Sequence, residues 1–193
     1  MTHIDYTLYL VTDRSVMSAK SLEQAVEQAI QGGCTVVQLR EKYASSREFF
    51  ETAQRVKQIT DSYHIPLIIN DRTDICLAVN AAGIHIGQQD LPAKIVRSMV
   101  GPDKIIGVSA ATLSEAIQAE QDGADYLGVG AMFATSTKTN TRPVTIERLT
   151  QIKQAVQIPV VAIGGIQSSN VTTLTDTGID GIAVVSAILA QEN

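Results

Sequence analysis

Eight short apolar runs recur along the chain, and most of them end in glycine or a polar residue. Each run has the length of a β-strand and is rich in valine, isoleucine or leucine; the runs occupy residues 8–13, 35–40, 66–71, 83–87, 105–109, 126–130, 159–165 and 181–186. Near-continuous apolar strands separated by helical segments are typical of a parallel sheet whose outer face is covered by helices. Eight such units predict an α/β fold of the closed (β/α)8 type, the TIM barrel, whose active sites lie at the carboxyl ends of the strands.

Segments with helical periodicity separate most of the runs. Five of them are clear, and they occupy residues 21–31, 46–63, 112–122, 145–156 and 168–177. Only residues 187–193 follow the eighth run, and the 193 residues are few for a fold that takes about 250. The sequence therefore predicts a compact single domain over residues 1–193, with a shortened or missing eighth helix.

Composition and charge exclude several classes of function. The net charge is −5 and the chain has no basic run, which argues against a nucleic-acid partner. No run is long enough to span a membrane, and the N-terminus lacks the pattern of a signal peptide, so a cytoplasmic protein without a membrane partner is expected. Cys34 and Cys76 have no metal-ligand spacing and are expected to be buried in the core.

Two carboxylates follow neighbouring strands of the predicted barrel. Asp71 ends the third run, and Asp90 follows the fourth. Because the ends of adjacent strands lie close together, the two side chains are expected to converge, and two carboxylates facing a cavity suit Mg2+ with its waters and phosphate oxygens. The alternative is that each carboxylate caps the helix that follows it.

Cationic side chains end the second run. Arg40 offers a planar donor fork for phosphate, and Lys42 adds a compact positive charge. The alternative is a solvated loop in which Glu41 balances both charges.

Two further segments have the composition of a phosphate site. The polar stretch 134–143 follows the sixth run and contains hydroxyl groups beside an ammonium group, at Thr135, Ser136, Thr137 and Lys138. The seventh and eighth runs end in Gly164-Gly165 and Val185-Ser186, and the loops at these two positions of a barrel frequently bind phosphate. The alternative for the glycine pair is a tight turn.

Two polar residues within strands complete the candidate set. Ser109 closes the fifth run and is placed either to contact a substrate or to satisfy the helix that follows. His85 lies within the fourth run and is expected to be an inward-facing structural residue rather than a catalytic base. Together the residues indicate a barrel with two separate anion-binding regions, one of them around Mg2+.

The chain resembles the thiamine-phosphate synthase family over nearly its whole length. The resemblance is carried by several long motifs in one order: YLVTD (9–13), QLREK (38–42), NDRTDICLAVNAAGIHIGQQDLP (70–92), GVS (107–109), ADYLGVGAMFATSTK (124–138), AIGGI (162–166) and VVSAI (184–188). The family condenses 4-amino-2-methyl-5-(diphosphooxymethyl)pyrimidine with a thiazole phosphate or its carboxylate form, and it releases diphosphate by a dissociative, Mg-assisted mechanism.

The resemblance implies a role for each position. Asp71 and Asp90 would hold Mg2+. The pyrimidine diphosphate would be bound by Gln38, Leu39, Arg40, Glu41, Lys42, Asn70, Ser109 and Lys138. The thiazole phosphate would be bound by Thr135, Ser136, Thr137, Gly164, Gly165, Val185 and Ser186. The catalytic residues among these would be Arg40, Lys42, Ser109 and Lys138.

Three alternatives remain open at this point. The related thiazole tautomerase shares the barrel but transfers a proton, and it has no need of the carboxylates and cations that would hold a diphosphate. A non-catalytic sensor of thiazole phosphate is a second alternative. A third is another phosphate-binding barrel, such as an epimerase or isomerase, although no acid–base pair is apparent. The sequence does not determine the oligomeric state, but an apolar flank beside the short eighth helix would suit a homo-oligomer.

Overall fold

The computed structural model describes residues 4–135 and 142–191 of the chain. All eight predicted strands are present, and each lies within its predicted run or extends one residue beyond it. Their bounds are β1 Leu8–Val11, β2 Val36–Leu39, β3 Leu67–Asn70, β4 Gly83–Ile86, β5 Ile105–Ala110, β6 Tyr126–Val129, β7 Val160–Ile163 and β8 Gly181–Val184. All neighbouring strands are parallel in the order β1 to β8, and pairing of β8 with β1 closes the barrel, so the predicted fold is confirmed.

Helices connect the strands on the outside of the barrel. Those of the described residues are α1 Leu22–Gln31, α2 Ser46–Ser62, α3 Thr73–Ala78, α4 Ala93–Val100, α5 Leu113–Gln121, α6 Ile146–Ala155 and α7 Ser186–Leu189. Several begin at side-chain caps that the sequence pattern favours. Ser45 and Thr112, for example, each form a reciprocal capping box with a glutamate three residues later. After β8 the described residues form the four-residue helix α7.

One predicted helix is wrong. Residues 168–177 do not form an α-helix; a 3-10 helix occupies Val171–Thr177 instead. The Asn170 side chain accepts a hydrogen bond from the Gln167 N–H and donates one to the Gly165 carbonyl, which holds residues 167–170 in a turn. Threonine hydroxyls then bond to carbonyls three residues earlier, as Thr173 does to Asn170. Such local side-chain bonds compete with the α-helical pattern.

Two apolar layers follow from the alternation of side chains along each strand. One face of each strand packs against the helices and forms the larger core. The other face points into the barrel, where a smaller cluster contains Tyr6, Tyr9, Val11, Val36, Ile68, Tyr126, Val161 and Ala183. The rings of Tyr9 on β1 and Tyr126 on β6 are 5.9 Å apart although these strands are not neighbours, so the contact crosses the barrel interior.

Glycines make room for the rings of Tyr126 and His85 inside the barrel. A Cβ atom on Gly107 of β5 would lie 2.1 Å from Cζ of Tyr126, and one on Gly128 of β6 would lie 3.0 Å from Cε1 of His85. The middle of the barrel is therefore filled by aromatic rings in place of the missing side chains.

Two further expectations concern the cysteines and membrane-spanning segments. Cys34 and Cys76 are free and buried, as predicted. Within the described ranges, no helix combines the length and the apolar character that a membrane crossing requires.

Candidate active site

A pair of carboxylates lies at the carboxyl ends of β3 and β4. Asp71 follows β3 with a left-handed backbone (φ 62°), and its N–H donates to the carbonyl of His85 at 2.9 Å. Asp90 accepts a hydrogen bond from the Gly87 N–H at 2.7 Å, and its carboxyl group contacts that of Asp71. Burial raises the pKa of Asp90, and the negative charge of Asp71 adds to the rise. The predicted convergence of the two side chains is present.

Neither carboxylate is the N-cap of the following helix. Helix α3 begins after Arg72 and α4 after Pro92, and neither of these N-cap residues makes a side-chain capping bond. The capping alternative for Asp71 and Asp90 is thus wrong, and both carboxylates are available to the site.

The cations after β2 are held by different partners. Lys42 forms an ion pair with Asp71. Arg40 donates from Nη1 to Oδ2 of Asp13 at 2.9 Å. Glu41 forms an ion pair with Arg14, in which Oε1 of Glu41 lies 2.6 Å from Nε of Arg14. The alternative in which Glu41 balances Arg40 and Lys42 is therefore wrong, since the charges are matched by carboxylates from other strand ends.

Polar side chains on the inner faces of the strands form the floor of the site. Gln38 on β2 and Asn70 on β3 are buried. Ser109 on β5 bonds through Oγ to Nε2 of His85 at 2.9 Å, so His85 faces the barrel interior as expected. Leu39 packs in the outer core between strands and helices, which leaves only its backbone to the site.

The glycine pair after β7 makes both a turn and a close contact. Gly164 and Gly165 have φ values of 102° and 64°, which L side chains rarely adopt. A Cβ atom on Gly165 would lie 2.5 Å from the carbonyl oxygen of Ala134 in the segment after β6. The tight-turn reading is thus correct, and the same turn brings the β7 end against the segment that leads to Thr135. Ser136, Thr137 and Lys138 lie outside the described residues.

The last pair of candidates lies at the start of the final helix. Val185 is the N-cap of α7, and Ser186 is its first residue. Val185 also packs against the apolar cluster inside the barrel, so this pair reaches the same end of the barrel as the glycine turn.

The donor set fits Mg2+ better than a metal held by protein alone. Within residues 4–135 and 142–191, no group of three or more His, Cys, Asp or Glu side chains is placed to hold a metal ion. Mg2+ is usually bound through one or two carboxylates together with waters and substrate phosphates. The contact between Asp71 and Asp90 supplies the two carboxylates, and a cation between them would relieve their mutual repulsion.

Sequence reasoning missed several polar partners. Asp13 and Thr12 follow β1; the Thr12 hydroxyl accepts from the Arg40 N–H at 3.0 Å. The polar residues that end the first run, at positions 12 and 13, were the sequence signal that could have identified these two partners. Tyr9 and Tyr126 lie within the first and sixth apolar runs, and a sequence signal for the Tyr126 ring is Gly107, which faces it.

A closed (β/α)8 barrel with carboxylates and cations gathered at the carboxyl ends of its strands is the architecture of a barrel enzyme that acts on anionic substrates. Comparison with known proteins narrows this class. Residues 8–188 match the family described as thiamine monophosphate synthase. A thiamine-phosphate synthase of Ruminiclostridium cellulolyticum is 63% identical over 190 residues, which cover 98% of this chain and 90% of the relative. One of Clostridium tetani is 60% identical, over 99% of this chain and 91% of the relative.

A solved structure agrees with these sequence matches. Thiamine phosphate pyrophosphorylase from Pyrococcus furiosus superimposes with a TM-score of 0.89 at 40% identity, over 97% of this chain and 89% of that one. The chain belongs to the thiamine monophosphate synthase family and is an enzyme of the transferase class. The family expected from the sequence motifs is thereby confirmed.

Proposed function

We propose that the chain condenses 4-amino-2-methyl-5-(diphosphooxymethyl)pyrimidine with thiazole phosphate, or its carboxylate form, to give thiamine phosphate and diphosphate. The observation that carries the proposal is the contact between Asp71 and Asp90 beside Lys42, at the carboxyl ends of β3 and β4. In a barrel of this family, that arrangement suits a diphosphate bound with a divalent cation.

The pyrimidine diphosphate is assigned to the β2–β5 side of the site. Arg40 and Lys42 are assigned to the diphosphate, and so is Lys138, which lies outside the described residues. Gln38, Asn70 and Ser109 contact the pyrimidine from the barrel floor, and residues 39 and 41 contribute backbone to the loop. The inward orientation and burial of Gln38 and Asn70 support this assignment.

The thiazole phosphate is assigned to the opposite side of the barrel mouth. Gly164 and Gly165 at the end of β7 are assigned to the phosphate through their backbone N–H groups, because glycine carries no side chain that would hinder a close approach. Val185 and Ser186 extend this region from β8, and the hydroxyl groups of residues 135–137 are assigned to the same phosphate. Two separate anion regions would hold the reacting groups side by side, which lowers the entropic cost of the bimolecular step.

The chemistry requires charge stabilisation more than proton transfer. The bond between the pyrimidine methylene carbon and the diphosphate oxygen breaks first, and the bonding electrons leave with the diphosphate. The electron-rich aminopyrimidine stabilises the resulting methylene cation, and the thiazole nitrogen then donates its lone pair to form the new C–N bond. Arg40, Lys42 and Lys138 stabilise the charge that develops on the diphosphate. Ser109 orients the pyrimidine.

Mg2+ held by Asp71 and Asp90 would neutralise further charge on the leaving diphosphate when it is bound. The two carboxylates would also exclude a second anion from this position. No strong general base is needed by this reaction.

A cytoplasmic location is part of the proposal. The free, buried thiols of Cys34 and Cys76 agree with a reducing compartment. Nucleic acid and membranes are not proposed as partners. A homo-oligomer formed through the apolar flank beside α7, as expected from the sequence, is also part of the proposal.

The thiazole tautomerase is the second candidate. It would use the β7–β8 phosphate region without the diphosphate site, so Asp71, Asp90 and Lys42 would have no task in it. Incubation with thiazole phosphate alone separates the two functions. The synthase leaves thiazole phosphate unchanged until the pyrimidine diphosphate is added, and it then releases one diphosphate per thiamine phosphate. Isomerisation of a thiazole substrate in the absence of the pyrimidine would favour the tautomerase.

A further inference from the structure

Five side chains from five strands form one continuous chain of hydrogen bonds across the barrel interior. Nε2 of Gln38 donates to the Tyr9 hydroxyl at 2.8 Å, and the Tyr9 and Tyr126 hydroxyl oxygens are 2.7 Å apart. The Tyr126 hydroxyl lies 2.9 Å from Nδ1 of His85, and Nε2 of His85 lies 2.9 Å from Oγ of Ser109. The chain thus links Gln38 on β2 with Ser109 on β5, two strands that are not neighbours.

The Gln38 amide nitrogen can only donate, so the Tyr9 oxygen accepts at that end of the chain. Either hydroxyl can donate between Tyr9 and Tyr126, and the roles of the two His85 nitrogens follow the tautomer of the ring. When donation runs onward from Gln38 through a neutral imidazole, Tyr126 donates to Nδ1 of His85 and Nε2 donates to Ser109. In that direction Ser109 keeps its own hydroxyl hydrogen for an acceptor in the cavity.

Burial keeps the two phenols in this arrangement. Tyr9 and Tyr126 are almost completely buried, and burial raises the pKa of both hydroxyls above their ordinary value. Both groups therefore stay protonated and can act as donor and acceptor at once. A buried hydroxyl that lost its partner would cost free energy, so each link favours the next.

The packing around the rings leaves little freedom to reorient. Gly107 and Gly128 provide the space that the rings of Tyr126 and His85 fill. The ring of Tyr6 packs on that of Tyr126 with 4.8 Å between centroids. Tyr6 contributes its ring to this cluster and is not a link of the hydrogen-bonded chain.

We propose that Tyr9, Tyr126 and His85 are positioning residues that couple Gln38 to Ser109 and make the Ser109 hydroxyl a hydrogen-bond donor toward the substrate. This inference rests on the proposed function, in which Gln38 and Ser109 contact the pyrimidine diphosphate. The coupling favours a substrate that offers an acceptor atom at Ser109, such as a ring nitrogen or a phosphate oxygen, over one that offers a donor.

Histidine NMR tests the direction of the chain without any turnover. The chain contains three histidines, so His85→Gln identifies the His85 signals by their loss. In the wild-type protein, the 15N shifts are expected to show Nδ1 without a hydrogen and Nε2 with one. Tyr126→Phe should shift the ring to a mixture of tautomers. A hydrogen on Nδ1 in the wild type, or an unchanged ring in Tyr126→Phe, would overturn the proposal.

A double-mutant cycle tests the coupling. Tyr126→Phe removes one hydroxyl and should lower kcat/KM for the pyrimidine diphosphate by roughly tenfold, whereas the matched Tyr6→Phe should change it less than about twofold. Gln38→Ala and Ser109→Ala should be non-additive by about threefold or more in the wild type and additive in Tyr126→Phe. Additive effects in both backgrounds would refute the coupling.

Two controls keep the outcomes distinct. If Tyr126→Phe is poorly folded by thermal melting, His85→Gln replaces it in the cycle, because it removes the imidazole that bridges Tyr126 and Ser109. If the wild-type protein binds the pyrimidine diphosphate but forms no product, the proposed function fails. In that case the cycle is measured on the dissociation constant of the pyrimidine diphosphate, and the same criteria of additivity decide the inference.

Discussion

Lys42, on the loop after β2, forms an ion pair with Asp71, which follows β3 with a left-handed backbone. Asp71 also contacts Asp90, so one ammonium group faces two carboxyl groups. A divalent cation would complete this balance of charge, and the diphosphate of a substrate would then meet Mg2+ and Lys42 together.

Asp90→Asn should lower Mg2+-dependent kcat by about 100-fold, because the neutral amide no longer binds Mg2+ beside the diphosphate. The asparagine oxygen can still accept from the Gly87 N–H, so the local turn is retained. The dissociation constant of thiazole phosphate, measured by calorimetry, should change less than about twofold. Equal losses in turnover and in thiazole-phosphate affinity would contradict two separate sites.

Asp13→Asn should raise KM for the pyrimidine diphosphate by about three- to tenfold, because the pair between Arg40 and Asp13 orders the guanidinium before the substrate arrives. Asp61→Asn is the matched control: it neutralises the partner of Lys57 in an ion pair near the C-terminal end of α2, the end that leads into the start of β3 and so lies away from the barrel mouth. Steady-state kinetics check both variants. An unchanged or lower KM in Asp13→Asn would show that Asp13 does not prepare Arg40 for the diphosphate.

Ser186→Ala should raise KM for thiazole phosphate by roughly tenfold, since one hydrogen bond to a charged group is lost, and should leave KM for the pyrimidine diphosphate unchanged. Ser98→Ala on α4, where the hydroxyl donates to the Ile95 carbonyl of its own helix, serves as the control. Gly165→Val is expected to raise the same KM but is a less clean test, because its Cβ would also displace Ala134. Equal changes in the two KM values of Ser186→Ala would argue against the assigned phosphate region.

Gly107→Ala should lower the free energy of unfolding by about 3 kcal/mol, because the new methyl group overlaps the Tyr126 ring inside a close-packed barrel. Gly32→Ala places a methyl group 3.3 Å from the nearest backbone oxygen at the end of α1, and a change below about 1 kcal/mol is expected. Urea denaturation followed by circular dichroism measures both. A Gly107→Ala protein as stable as Gly32→Ala would mean that the ring can move aside.

The strands were predictable because each is a short apolar run bounded by polar or glycine residues, and a buried parallel strand leaves little else in its sequence. The residues at their ends, such as Asp71 and Asp90, were predictable for the same reason, since barrel geometry brings neighbouring strand ends together. The helix expected at residues 168–177 failed because the hydrogen bonds of Asn170 and the threonine side chains compete with the helix, and their effect depends on backbone geometry that a periodic pattern does not contain.

The side chains that pair with one another were harder to predict from the sequence than the strands were. Arg40 and Asp13 are 27 residues apart, and Glu41 was the nearer candidate partner along the chain. The choice between them depends on side-chain direction at the strand ends. The link from Tyr9 to Tyr126 likewise joins opposite walls of the barrel, and a tyrosine in a strand has the same apolar pattern whether or not its hydroxyl is bonded.

The most direct test of the account is thiamine phosphate formation by the purified protein supplied with both phosphorylated substrates, with and without Mg2+. The account predicts product only when Mg2+ is present, with one diphosphate released for each thiamine phosphate. A folded protein that binds thiazole phosphate but forms no product with Mg2+ would contradict it and would favour the tautomerase or the sensor.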